Sequence, residues 1–253
     1  MKINRRDFSI LAGGWVVGLS GLVVRPAPVL ANPTPFYTAH VYPGSPITLS
    51  EKALRAHGEM VIALTFDDGP DPTNDTEILR LLAQYHAVAT FFVIGNKAVN
   101  HLDLLKTMVS AGCEIGNHSW SHPMLTRLNA DAQAAEMRQT NEVLAGAGIK
   151  VNWLRPPYGD YDRQTRAIAT AESMETILWS IDPSDWKSPP AETIAKRITR
   201  DLAPGAVVLM HSIRAHSVEA LPRILDFAAE NHYRFVTLSE WKQIMLRVSS
   251  PTS

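Results

Sequence analysis

Cysteine is nearly absent from this chain: Cys113 is the single example in 253 residues. Alone it forms no internal disulfide, and it cannot build a thiolate zinc site or an iron–sulfur cluster. Charge of one sign is lacking too, because 24 Lys and Arg stand against 25 Asp and Glu for a formal net charge of −1. That balance carries no electrostatic footprint for nucleic acid, so no nucleic-acid partner is expected. No apolar run is long enough to span a bilayer: the stretch Leu11 to Val24 ends at Arg25, short of the ~20 residues a membrane helix needs. A Gly-rich phosphate loop after the first apolar run of the domain is also missing. With 45% hydrophobic and 19% charged residues the chain has the composition of a folded protein, long enough for one barrel-sized domain. Any metal must be held by His and carboxylate.

The N-terminus runs Asn4-Arg5-Arg6-Asp7-Phe8, then a moderately apolar stretch, then Val29-Leu30-Ala31. It reads as an export signal over residues 1–31, twin-arginine-like through Arg5 and Arg6. A general secretory signal and an uncleaved anchor are the other readings of the same residues. Removal after Ala31 leaves 20 basic against 24 acidic side chains, a net −4. An exported protein, periplasmic or extracellular, with no stable membrane partner is therefore expected. Residues 32–58 read as an extended, proline-rich leader, 59–248 as a single domain, and 249–253 as a frayed tail.

Within the domain, seven short runs rich in β-branched and aromatic residues alternate with stretches of helical period. The runs are Val61 to Phe66, Val88 to Ile94, Cys113 to Gly116, Val151 to Leu154, Thr176 to Ile181, Ala206 to Met210 and Arg234 to Leu238. Between and after them lie helix candidates at 75–85, 98–111, 130–145, 162–172, 191–202, 218–231 and 239–247. A βα unit repeated seven times implies a parallel sheet covered by helices. Periodicity alone does not separate a closed barrel from an open sheet. Polar residues favour the barrel: Asp67 and Asp68 follow the first run, His118 the third, Arg155 the fourth, Asp182 and Asp185 the fifth, and His211 the sixth. Strand ends converge on one rim only in a barrel.

Adjacent carboxylates at a buried strand end, in Thr65-Phe66-Asp67-Asp68-Gly69-Pro70, repel each other and cannot face one way while strand geometry continues. A divalent cation on one of them would relieve this and leave the other free as a base; a plain Asp-Gly surface turn is the bland alternative. His118 and His122, at i and i+4, would face the same side of a helical turn and could clamp a metal, although such a pair also arises by coincidence. Two His and one Asp leave a coordination position for water, as in catalytic sites. Arg155, ahead of Pro156-Pro157-Tyr158-Gly159, could hold Asp67 ionised or form an ordinary rim salt bridge. Asp182-Pro183-Ser184-Asp185-Trp186 and Leu209-Met210-His211 offer an Asp–His pair, and His211 alone could equally be a satisfied core histidine.

In order and placement these segments resemble the five successive motifs of the polysaccharide deacetylase family, carbohydrate esterase family four, over about Val61 to Leu238. The resemblance implies a distorted (β/α)7 barrel with its active site at the C-terminal strand ends. It implies one divalent metal ion, Zn2+ foremost with Co2+ or Ni2+ as alternatives, on Asp68, His118 and His122. Asp67 would then be the general base, Arg155 its positioning partner, and His211, paired with Asp185, the general acid. The backbone N–H of Tyr158 would help hold the oxyanion, and the rings of Tyr158 and Trp186 would stack on a sugar. The implied reaction is hydrolysis of acetyl groups, N-acetyl foremost, by a metal-activated water. The implied partner is an acetylated glycan such as peptidoglycan, chitin oligomer or xylan, acted on by a monomer. One departure stands out: the family often has Asp after the last histidine, and this chain has Ser212. A silent carbohydrate-binding module and an amidohydrolase for a small substrate on a related barrel are the competing readings.

Overall fold

A computed structural model describes residues 41–42 and 51–249. The export-signal segment 1–31, most of the leader and residues 250–253 lie outside them. Eight strands form one sheet: β1 (Val41–Tyr42), β2 (Val61–Gly69), β3 (Thr90–Val93), β4 (Glu114–Asn117), β5 (Trp153–Leu154), β6 (Glu175–Ile177), β7 (Val207–His211) and β8 (Arg234–Val236). The helices are α1 (Glu51–Ala56), α2 (Pro72–Gln84), α3 (Gly95–Ala98), α4 (Leu102–Ser110), α5 (Ala130–Gly146), α6 (Arg163–Ala171), α7 (Ala191–Asp201), α8 (Ala215–Glu230) and α9 (Leu238–Ser249).

Each of the seven apolar runs carries a parallel strand, and the sheet follows the order β1-β6-β5-β4-β3-β2-β7, with β8 pairing the first residues of β2. The sheet curls until the chain beyond β6 meets β7. Beyond β6, Ile181 bridges Val208 of β7, and Leu209 N–H donates to Ile181 O at 2.9 Å. The sheet is therefore a curled, parallel half-barrel closed by a single bridge, the distorted (β/α)7 form. β1 adds an antiparallel edge to β6, with Val41 opposite Ile177. It lies in the stretch read as an extended leader, and so does the helix α1. Apolar periodicity over two to six residues is too short to announce either.

Alternation along β2 decides what faces where. Ile62, Leu64 and Phe66 enter the larger core with Ile78 of α2 and Leu221 and Leu225 of α8. Val61 and Ala63 join a second core with Phe92, Trp153, Val207 and Trp241. Thr65 and Asp67 continue this second face toward the strand's C-terminal end, so the same period that packs the interior delivers a carboxylate to the rim. α2 begins earlier than its apolar period shows, because Asp71 caps it by accepting from the N–H groups of Thr73 and Asn74 and Pro72 opens the first turn. The helix expected over 98–111 is α4, which starts at Leu102, and the short α3 ends at Ala98 before it. Gly95 opens α3 against Trp120 and Thr140, where a Cβ would lie 2.6 Å from the Trp120 ring and 2.3 Å from Thr140 Oγ1. Cys113 is buried, and burial pushes its thiol pKa up, as befits an inert core side chain.

Gly116 of β4 shows how tightly the interior is filled beneath the rim. A Cβ there would stand 2.5 Å from the ring of Phe92, the ring on which the Arg155 guanidinium rests at 4.2 Å. Gly116→Ala is expected to destabilise the fold by about 1–3 kcal/mol through overpacking, measured by chemical denaturation. Combining it with Phe92→Leu should return part of that loss; additive losses would show that the clash is relieved elsewhere.

Candidate active site

Asp67 and Asp68 face one cleft because the strand does not continue regularly through them. The register of β2 on β3 shifts between Phe66 and Gly69, and Asp68 takes a left-handed φ of 72°. That backbone turn is what lets neighbouring carboxylates share a side, at a cost of roughly 1–3 kcal/mol for a non-glycine residue. Lys97 of α3 secures it by donating to Asp68 O at 2.9 Å.

Beneath the cleft lies Arg155, fully buried at 0% exposure. One nitrogen, Nη1, donates to Thr65 Oγ1 (2.6 Å) and Asp67 Oδ1 (2.8 Å), and Nη2 donates to Leu178 O (2.9 Å). Burial pushes the guanidinium pKa down and the Asp67 carboxylate opposes that shift. The backbone carbonyl of the same residue accepts from His118 Nδ1 at 2.7 Å. A carbonyl only accepts, so Nδ1 of His118 carries the proton and Nε2 presents its lone pair.

His118 and His122 do not share a helical turn, contrary to the i, i+4 expectation. The segment is an irregular loop with Ser119 at φ 65° and His122 at φ 63°. Ser119 Oγ accepts from His122 N–H at 3.0 Å, and Glu136 of α5 accepts from the N–H groups of Trp120 and Ser121 and from Ser121 Oγ. The loop nevertheless brings the two rings to 4.9 Å between centroids. Nε2 of His122 lies 3.1 Å and Nε2 of His118 3.5 Å from Asp68 Oδ1, and that buried oxygen accepts no hydrogen bond. Donor atoms of Asp68, His118 and His122 all lie within 4.8 Å of one another. Burial pushes the Asp68 carboxyl pKa up, and the two imidazoles outweigh this and hold it well below the usual carboxylate range. Convergent lone pairs around an unpartnered carboxylate oxygen fit a divalent cation, and the N2O donor set suits zinc, cobalt or nickel.

Opposite stands His211, in register with Asp67 across β7 and β2. Its Nδ1 shares a proton with Asp185 Oδ1 at 2.8 Å, while Asp185 Oδ2 accepts from His211 N–H (2.7 Å) and Ser217 Oγ (2.6 Å). Burial lowers the imidazole pKa, but Asp185, with Asp67 and Asp68 behind it, raises it further, so the net shift is upward. Tyr158, at φ 60°, packs its ring edge-on to His122 at 4.6 Å and is 65% exposed. Trp186, 47% exposed, forms the other wall of a cleft of about 550 Å³.

Several contributors carried no signal in the sequence. Glu136 acts from sixteen residues away in mid-helix, and Trp179 lines the cleft from the irregular stretch after β6. Asp75, fully buried in the first turn of α2, stands beside Ser212: a Cβ on Gly69 would touch both, Ser212 Oγ at 3.0 Å and Asp75 Oδ2 at 3.1 Å. The carboxylate missing at position 212 is thus matched by one arriving from α2. Burial pushes the Asp75 carboxyl up to about 6, against the Asp71 N–H and the Ser212 hydroxyl, which lower it.

In comparisons with known proteins, residues 55–177 match the family model for polysaccharide deacetylase. The chain is 35% identical over 199 residues to the peptidoglycan-N-acetylmuramic acid deacetylase PdaC of Bacillus subtilis, covering 78% of this chain and 42% of that relative. It is 37% identical over 195 residues to a peptidoglycan-N-acetylglucosamine deacetylase of Bacillus cereus, covering 73% and 89%. The solved structure of PdaC superposes with a TM-score of 0.71 at 35% identity, over 75% of this chain and 93% of that one. The chain thus spans about two-fifths of the length of the full PdaC protein.

Two outcomes follow from the electrostatics. In the metal-free protein, Asp185→Asn should lower the His211 pKa, read by NMR titration of its ring protons; an unchanged value would assign the upward shift elsewhere. Asp75 has a folded pKa of about 6, above the ordinary carboxyl value of 3.8. Its contribution to stability is full below the lower value and is lost as pH rises through the upper one, by about 3 kcal/mol at order of magnitude. Asp75→Asn should therefore gain stability relative to the parent between pH 4 and pH 8 in denaturant melts.

Proposed function

The chain belongs to the polysaccharide deacetylase family, and on that premise we propose that it hydrolyses acetyl groups, N-acetyl foremost, from a polysaccharide or oligosaccharide. The observation that carries this is the pairing of Asp67 with His211 on adjacent strands beside the Asp68–His118–His122 cluster. A divalent metal held by those three residues would polarise the acetyl carbonyl and make water a nucleophile near neutral pH.

Everything else falls to the chain's own side chains. Asp67 takes the proton of the attacking water on Oδ2: its Oδ1 is committed to Arg155, which keeps the carboxylate charged and fixed. His211, its Nδ1 tied to Asp185, holds a proton on Nε2 and delivers it to the leaving amine. Since Asp185 is fully buried with both oxygens occupied, the ring has one orientation in which to do so. The backbone N–H of Tyr158 serves the developing oxyanion. The exposed rings of Tyr158 and Trp186 give flat walls for sugar stacking, and a cleft walled by exposed aromatics suits a polymer better than a small enclosed ligand.

Peptidoglycan is the favoured substrate because the similar proteins named above act on it. We read residues 1–31 as the signal that delivers the enzyme to that glycan, 59–248 as its catalytic domain, Zn2+ as the metal, and the enzyme as a monomer. Among the described residues no helix is long and apolar enough to cross a membrane.

Metal-loaded protein should release acetate from N-acetylglucosamine oligomers or peptidoglycan, lose this on chelation, and regain it with Zn2+, Co2+ or Ni2+. Asp67→Asn and His211→Ala should each lower kcat at least about a hundredfold. No acetate from either glycan or from acetylated xylan would overturn the proposal, and glycan binding unchanged by Asp67→Asn would point to a silent binding module.

A further inference from the structure

The charges facing the cleft are uneven. Asp67, Asp68 and Asp182 line it, and Arg214 is the one Lys or Arg side chain that does so among the described residues. Each carboxylate is engaged with a neighbour: Asp67 hydrogen-bonded by Arg155, Asp68 Oδ1 within ion-pair range of the two histidines though it accepts no hydrogen bond, and Asp182 hydrogen-bonded by the Ser184 N–H at 2.7 Å. Arg214 is not. Its guanidinium makes no hydrogen bond or ion pair among the described residues, and its Nε is buried without a partner.

The backbone of Arg214 is fixed where α8 begins. Arg214 lies three residues beyond His211, donates its N–H to His211 O (3.2 Å), and accepts through its carbonyl from Ser217 and Val218 N–H (3.0 and 3.3 Å) as α8 begins. The side chain is half-buried at the rim beside the acid of the reaction. A partly desolvated guanidinium presents a planar fork of donors that a carboxylate fills with two parallel hydrogen bonds. Left unfilled, it carries a desolvation cost that an anionic ligand would offset.

We infer that Arg214 is a specificity residue that binds a carboxylate carried by the glycan, so that acidic acetylated glycans are preferred over neutral ones. The inference rests on the deacetylase reading and deepens it. Carboxylates of this kind come from two sources: a lactyl ether on an amino sugar, or a uronic acid.

The test compares metal-loaded wild type with Arg214→Gln on matched glycans, by KM and kcat for acetate release and by calorimetric binding. One pair is stem-peptide-free peptidoglycan strands, with lactyl carboxylates free or converted to methylamides. The other is acetylated glucuronoxylan against acetylated xylan without uronic acid. Wild type should favour the charged member of one pair at least tenfold in KM and in Kd, less so as ionic strength rises, and the responding pair identifies the source. Arg214→Gln should erase that preference with an unchanged thermal unfolding midpoint, and Arg214→Lys should restore part of it. Equal treatment of charged and uncharged members by wild type, or a preference that survives Arg214→Gln, would overturn the inference. Because binding is read separately, a protein that distinguishes the charged strands yet releases no acetate would sink the deacetylase reading and leave Arg214 its role.

Discussion

A fully buried guanidinium is the constraint on which the site depends. Removing Arg155 from water is costly, and its two terminal nitrogens are answered while Nε is buried without a partner. Thr65 and Asp67 answer from β2, Leu178 O from beyond β6, and the rings of Phe92 and Trp179 lie 4.2 and 5.8 Å from its Cζ. Its carbonyl meanwhile fixes the tautomer of His118. One residue thus sets the orientation of a carboxylate and of an imidazole that belong to different strands. Gly116, leaving room for Phe92, is the packing counterpart of the same arrangement.

Around that centre the backbone departs from regular geometry where function is placed. Asp68, Ser119, His122 and Tyr158 all have positive φ, outside the range most side chains prefer. At three of them hydrogen bonds brace the turn: Lys97 on the Asp68 carbonyl, Glu136 on the Trp120–Ser121 backbone, Ser119 Oγ on His122. These restraints come from α3 and α5, so the helices outside the sheet also shape its rim.

What the sequence shows and what it hides divide along the range of the interaction. Apolar alternation is local, and it located seven strands and the rim residues that follow them. Adjacent acids were recognisably in conflict, and the structure resolves that conflict by a left-handed residue no local pattern predicts for Asp68. The His118–His122 spacing was read through helical geometry, whereas a loop held by Glu136 does the work, a residue whose mid-helix position carries no mark. Asp75 stands at the start of the helix expected over 75–85 and carries no further mark in the sequence. Only the fold reveals that it meets Ser212 across more than a hundred positions of chain. β1 and α1 escaped because two to six residues are too few to show a period.

The single bridge between Ile181 and Val208 has a consequence for how such a scaffold diversifies. A barrel closed by a full ladder must preserve register around its whole circumference. Here the ring is joined over a short seam between residues 180–181 and 207–209, and the segment leaving it carries Asp182 and Trp186 to the cleft and Asp185 to His211. Insertions and deletions beyond Asp185 can widen or narrow one wall while Asp67 and Arg155 stay at strand ends away from the seam. Changes past Asp185 therefore reshape the glycan-facing wall while the proton-handling groups keep their supports.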